Sequence, residues 1–185
     1  MSFCLVILDR DGVINADSAE FIKSAAEWHA IPGSLEAIAK LNKAGYKVAV
    51  ATNQSGLGRG YFTKETLDSI HDKMQRDLAS VGGQLDGIFI CPHVAADNCE
   101  CRKPKPGLLR KISEHFNIPK SEIISIGDSL RDAKASEAFG ARFILVLTGN
   151  GLKTLQENPW LQKKSLAILP NLAEAVDWLL TKYTL

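Results

Sequence analysis

Asp9 and Asp11 stand one residue apart, directly after the apolar run at residues 3–8. At the end of a strand, side chains two positions apart share a face. The pair therefore brings two carboxylates together, with Arg10 pointing elsewhere and Gly12 letting the chain turn away. Like charges so placed repel, and one takes up a proton unless a cation neutralises them. Asp128, which follows another apolar run, is the natural third oxygen donor. Oxygen ligands without a neighbouring histidine suit Mg²⁺ better than a softer transition metal. On such a site one aspartate could attack an electrophile while the other passes a proton to or from the leaving oxygen. Isolated Asp-x-Asp pairs also occur as helix caps, turns and weak calcium sites, so the pair alone leaves those readings open.

A phosphorus electrophile fits what stands at the other strand ends. Thr52 and the backbone N–H groups of Asn53, Gln54 and Ser55 can donate to phosphoryl oxygens, and Lys103 can offset their charge in the transition state. Asp132 lies one helical turn after Asp128, where it is either an acceptor for a metal-bound water or Lys103, or a solvated helix-face charge. Ser55 reads as a cap or phosphate donor, because no histidine and acid are placed to activate it as a nucleophile. His29, His71 and His115 read as surface or packing residues.

A second cluster is made of Cys91, His93, Cys99 and Cys101. Three thiolates and an imidazole are the donor set of a closed tetrahedral zinc site, and a full protein sphere favours a structural over a catalytic ion. Asp97 and Asn98 suit the turn between the ligand pairs. Unliganded thiols are the alternative in a reducing compartment. Zinc would stiffen the loop that presents Arg102 and Lys103. Arg102 offers a rigid fork suited to a phosphate or to nearby hydroxyls, and Lys103 a compact charge. Cys4 reads as a buried structural thiol.

The elements that position these groups follow from the hydrophobic pattern. Apolar, branched runs at 3–8, 46–51, 87–91, 123–126 and 142–147 read as buried strands, and amphipathic stretches at 34–44, 64–81, 106–116, 130–139 and 172–183 as helices. Continuous apolar strands alternating with helices predict an α/β fold, a Rossmann-like parallel sheet with helices on both faces. In such a sheet the functional groups gather at the C-terminal strand ends. Residues 149–162 are weakly periodic, and 166–169 reads as a short edge strand.

The chain of 185 residues is 45% hydrophobic and 23% charged, which suits one domain across 1–185 with a metal loop at 91–101. Lys plus Arg number 22 against 21 acids, a formal charge of +1 that gives no basis for a nucleic-acid partner. The first apolar run is too short to span a bilayer and lacks the flanks of a signal peptide, so no membrane association is expected. The cytoplasm and a monomer are the default expectations.

The strings DRDGVIN at 9–15, TNQSG at 52–56, Arg102-Lys103-Pro104 and GDS at 127–129 resemble, in order, the four signatures of the haloacid dehalogenase superfamily. The resemblance implies an aspartyl-phosphate mechanism with Asp9 as nucleophile and Asp11 as general acid and then base. It implies Mg²⁺ held by Asp9, Asp128 and the backbone carbonyl of Asp11, with Thr52 and Lys103 stabilising the phosphoryl group. Residues 12–32 and 56–85 leave no room for the cap domain common in that superfamily, so the core is expected to be capless.

With its zinc loop, the chain resembles a subgroup of small phosphatases in which Arg102 would recognise substrate and Asp17, Ser18, Ala19 and Glu20 would line a sugar site. A small phosphorylated sugar is the implied substrate. The leading expectation is the C7 phosphate of a heptose 1,7-bisphosphate, with histidinol phosphate as the alternative and a receiver-like phosphoacceptor module as the non-enzyme reading. The lysine often found after the fourth-signature aspartate is Ser129 here, which removes one partner for a distal phosphate.

Overall fold

The computed structural model describes residues 3–183. The four terminal residues belong to the expected single-domain span, and Met1 and Ser2 to the signal-segment reading; both readings lie there outside the described residues. Six strands form one sheet in the order β3-β2-β1-β4-β5-β6, with every pairing parallel. They are β1 (Leu5–Leu8), β2 (Lys47–Asn53), β3 (Gly87–Cys91), β4 (Ile123–Gly127), β5 (Arg142–Val146) and β6 (Ala167–Leu169).

The apolar runs are continuous because each inner strand supplies both faces. Val6 and Leu8 of β1, Val48 and Val50 of β2, and Ile124 and Ile126 of β4 enter one core. Leu5, Ile7, Ala49, Ala51 and Ile123 enter the other. The first core is covered by α1 (Ser34–Lys43), α3 (Lys64–Ser80) and α8 (Leu172–Lys182), through residues such as Ile38, Leu41, Ile70, Met74, Val176 and Leu179. The second is covered by α4 (Gly107–Phe116) and α5 (Leu130–Phe139), through Leu108, Leu109, Ile112 and Ala135. Burial on both sides is the condition for an all-parallel sheet.

The helix boundaries follow local chemistry. Thr63 caps α3 by accepting from the Thr66 N–H, and Asn171 caps α8 by accepting from the Glu174 N–H. The weakly periodic segment contains two short helices, α6 (Gly151–Glu157) and α7 (Leu161–Lys164), separated at Asn158 and Pro159. Each is too short to show a full amphipathic repeat. A single turn, α2 (Ser55–Gly58), follows β2.

No cap module intervenes among the described residues. Between β1 and α1 the chain makes one 3₁₀ turn at Ala25–Glu27, and Val13, Ile14, Ile22 and Trp28 of this excursion are buried in the first core. The chain adds strands in one direction from β1 to β3, then crosses back to β4 beside β1. That reversal opens a crevice at the carboxyl ends of β1, β2 and β4. Among the described residues no helix is long and apolar enough to cross a membrane.

Candidate active site

A solvent-open cavity of about 200 Å³ occupies this crevice, and it is lined by Asp9, Asp11, Thr52, Lys103 and Asp128. Lys103 arrives from the loop after β3, yet its ammonium is buried under the β1 and β2 ends. Its Nζ donates to the Ala51 carbonyl at 2.7 Å and to Asp132 Oδ1 at 2.6 Å, and stands 3.0 Å from Asp9 Oδ1. Burial works against its charge, but Asp132 and Asp9 outweigh burial and hold its pKa above the usual lysine value.

Asp132 is buried on the inner side of α5, so it is no solvated helix-face charge. Its Oδ2 accepts from the Ser129 N–H at 3.1 Å and from the Ser129 hydroxyl at 2.5 Å. Ser129 is the N-cap of α5, and the pair forms a reciprocal capping box. The residue standing where a lysine was the alternative therefore starts the helix and orients the acid that holds Lys103.

Carboxylate oxygens of Asp9, Asp128 and Asp132 come within 4.8 Å of one another. Burial and the neighbouring Asp132 raise Asp9 to about 8, against the pull of Lys103, and the same two causes raise Asp128 to about 6. Crowded carboxylates of this kind are the donor set a hard divalent cation neutralises. Asp128 is fixed by the Asn150 N–H, which donates to Oδ2 at 2.7 Å. Gly12 and Gly149 pack against it at positive φ, where any Cβ would collide with Asp128 Oδ2. Asp132 is already engaged with Lys103 and Ser129, which leaves Asp9 and Asp128 as the side chains of this cluster that could hold an ion. The Asp11 carbonyl accepts no hydrogen bond among the described residues.

Asp11 departs from the sequence reading. Its carboxylate is held by three neighbouring side chains, and Arg10 does not point elsewhere but folds back onto it. Arg10 Nη2 donates to Asp11 Oδ1 at 2.9 Å and Oδ2 at 3.0 Å. Asn15 Nδ2 and Gln54 Nε2 donate to the same carboxylate at 2.9 Å each. Burial raises the Asp11 pKa, but Arg10, Asn15 and Gln54 together outweigh it and leave it lowered, so the repulsion within the pair falls on Asp9, which Asp11 helps to raise. Of the two readings open for His71, surface or packing, the structure takes the second: it is buried on α3, with Nε2 3.2 Å from Arg10 Nη1. Burial and the adjacent guanidinium push its pKa down to about 4, so it is neutral and accepts from Arg10.

The residues after β2 divide their tasks. Thr52 is buried at the cavity floor and accepts from Gln54 Nε2 at 2.9 Å. The Gln54 N–H donates to the Cys91 carbonyl at 2.8 Å, so it is not a free phosphoryl donor as the sequence suggests. The Asn53 amide clamps the Lys103 backbone, with Nδ2 to the carbonyl at 3.0 Å and Oδ1 from the N–H at 3.1 Å. Ser55 lines the cavity at the start of α2.

Asp17 and Ser18 also line the cavity, whereas Ala19 and Glu20 are exposed outside it and Phe21 and Ile22 stand in their place. Phe21 adopts φ +63°, a conformation costly for a bulky residue, and its ring meets Tyr61 edge-on at 5.2 Å. Asn150 and Arg131 line the same cavity and have no motif that announces them; Asn150 Nδ2 bridges to Asp17 at 2.9 Å.

Cys91, His93, Cys99 and Cys101 meet in one cluster. The sulfurs lie 3.3 to 3.7 Å apart, and His93 Nδ1 is 3.4 Å from Cys101 and 3.8 Å from Cys91. A tetrahedral ion with Zn–S bonds of about 2.3 Å sets its ligands roughly 3.8 Å apart, so the donor set and spacing fit zinc. Cys4 is half-buried and donates to Glu122 at 3.1 Å, away from both clusters.

The family profile of haloacid dehalogenase-like hydrolases matches residues 5–140. A D-glycero-beta-D-manno-heptose-1,7-bisphosphate 7-phosphatase of Neisseria meningitidis is 54% identical over 154 residues, 83% of this chain and 82% of that one. One from Pseudomonas aeruginosa is 50% identical over 84% of this chain and 87% of its own. The crystal structure of a Bordetella bronchiseptica D,D-heptose 1,7-bisphosphate phosphatase, complexed with magnesium and phosphate, superposes with a TM-score of 0.93 at 48% identity, covering 97% of this chain and 99% of that one. With its four signatures at the strand ends of one parallel sheet, the chain belongs to the haloacid dehalogenase-like hydrolases.

Proposed function

We propose that this chain is a Mg²⁺-dependent phosphomonoesterase that removes the C7 phosphate of D-glycero-D-manno-heptose 1,7-bisphosphate. The observation that carries the reaction is the buried Lys103 ammonium, fixed between Asp9 and Asp132 at the mouth of the carboxylate cluster. The substrate reading rests on relatives at 50 to 54% identity that are named for it.

Asp9 attacks phosphorus, forming the Asp9 O–P bond as the bond from phosphorus to the sugar O7 breaks. Asp11 must enter this step protonated, against the lowering by Arg10, Asn15 and Gln54 in the free protein, and it passes that proton to the departing O7. Asp11 then takes a proton from water as its oxygen attacks phosphorus, the Asp9 O–P bond breaks and inorganic phosphate leaves. Lys103 stabilises the charge on the phosphoryl oxygens, and the Thr52 hydroxyl donates to one of them. Asp9, Asp128 and the Asp11 carbonyl would hold Mg²⁺, which supplies charge neutralisation for the transferring group. Cys91, His93, Cys99 and Cys101 would hold a structural zinc that keeps Arg102 and Lys103 in place.

The test is phosphate release with Mg²⁺ from both anomers of the heptose bisphosphate and from histidinol phosphate. The bisphosphate is expected to give the highest kcat/KM, and a clear preference for histidinol phosphate would remove the sugar assignment. Asp9→Asn is expected to lower turnover by roughly a thousandfold or more while the protein stays folded.

A further inference from the structure

Every nitrogen of the Arg10 guanidinium is engaged inside the protein. Nε donates to Asp11 Oδ1 at 3.1 Å, Nη2 to both Asp11 oxygens and to Gln54 Oε1 at 3.3 Å, and Nη1 reaches His71 Nε2 at 3.2 Å. Gln54 closes a ring, because its Nε2 donates to Asp11 Oδ2 and to Thr52 Oγ1 at 2.9 Å each. Arg10, Asp11 and Gln54 lie in the segments that directly follow β1 and β2, whereas His71 alone comes from a helix.

That difference gives His71 a task. A short segment after a strand is held only by what it packs against, and α3 is a rigid support. It is capped at Thr63 and buries Ile70, Met74 and Leu78 in the first core around His71. Nη1 makes none of the Asp11 contacts, so without His71 the guanidinium is fixed only from the side of Asp11 and Gln54. A buried cationic N–H that loses its acceptor turns toward another one, and because the guanidinium is planar the donors to Asp11 turn with it.

We propose that His71 is a positioning residue for the reaction: from α3 it fixes the Arg10 guanidinium, and through it the orientation in which Asp11 meets the leaving oxygen. This rests on the reading of Asp11 above as the acid of a phosphomonoesterase. His71 accepts as a neutral imidazole, so the position supplies an acceptor rather than a charge. A glutamine can place Oε1 where Nε2 stands, an asparagine reaches only to the level of Nδ1, and a leucine offers no acceptor.

A leaving group that needs no proton separates the orientation of Asp11 from general damage. A sugar alkoxide needs protonation as it departs, and p-nitrophenolate does not. The test measures kcat/KM, which covers the steps through ester cleavage, for heptose 1,7-bisphosphate and for p-nitrophenyl phosphate. Parent, H71L, H71N, H71Q and D11N are compared with Mg²⁺. H71L and H71N are expected to lose about ten- to a hundredfold on the sugar and less than about threefold on the aryl ester, the pattern of a misplaced acid. H71Q should stay within about threefold of the parent on both, because it restores the acceptor. Equal losses on the two esters in H71L and H71N overturn the proposal, as does a parent-like value for both variants on the sugar or an H71Q no better than H71N. D11N is expected to show the same discrimination more strongly. If D11N discriminates and the His71 variants do not, the role of His71 falls while Asp11 remains the acid. If D11N loses equally on both esters, Asp11 is not the acid, and the reading on which the role of His71 rests falls with it.

Discussion

Arg10 Nη2 lies 2.9 Å from Asp11 Oδ1, so the residue between the two aspartates binds the second of them. Arg10 is 1% exposed, and its guanidinium also reaches Gln54 and His71. A buried cation of this kind holds a fixed carboxylate geometry, because breaking the pair would leave a charge without a partner.

Arg10→Met is therefore expected to lower stability by about 3 kcal/mol or more, the usual cost of removing one partner of a buried ion pair. Asp11, relieved of its main counter-charge, should lose its fixed orientation, and kcat should fall with it. Denaturant unfolding and steady-state kinetics measure the two effects; a midpoint equal to that of the parent would contradict the structural role.

His71 predicts a pH dependence of stability. It is neutral in the folded protein down to about 4, against 6.5 for a free imidazole, so the unfolded chain binds the extra proton between those values. Stability is then fully present above pH 6.5 and declines as pH falls toward 4, by at most about 3 kcal/mol. His71→Gln keeps a neutral acceptor for Arg10 and should lose this component. Parallel stability curves for parent and variant across pH 4 to 6.5 would show that His71 does not titrate as described.

Asp132→Asn tests the support of Lys103. The variant keeps the size of the side chain but removes the charge 2.6 Å from the ammonium. We expect kcat to fall roughly ten- to a hundredfold with a smaller change in KM, because the misplaced group acts on the phosphoryl transition state. A variant with the parent kcat would mean that Asp9 and the Ala51 carbonyl suffice to hold Lys103.

Cys99→Ser addresses the proposed zinc site. The parent is expected to carry about one zinc per chain and the variant far less, with a lower melting temperature and lower activity, since metal binding and loop folding are linked. Metal analysis together with thermal unfolding reads both, and full zinc content in the variant would exclude Cys99 from the ligand set.

The strands were legible because parallel pairing buries both faces, which writes unbroken apolar runs such as Leu5–Leu8 and Ile123–Gly127 into the chain. The groups at their ends were legible because Asp9, Thr52, Lys103 and Asp128 lie in short local strings whose backbone positions follow from the strand. The short helices α6 and α7 were not, because fewer than two turns carry no readable period.

Sequence alone determined the parallel α/β class, the strand-end carboxylates and the grouping of Cys91, His93, Cys99 and Cys101, because each depends on periodicity or on spacing within one segment. Tertiary structure decided the rest: that Arg10 turns back on Asp11, that His71 from α3 is its buried partner, that Asp132 belongs to Lys103, and that Asn150 and Arg131 share the cavity. These pairs join residues from separate elements or depend on which way a side chain turns. Spacing along the chain does not encode such relations, and the packing of helices and loops against the sheet does.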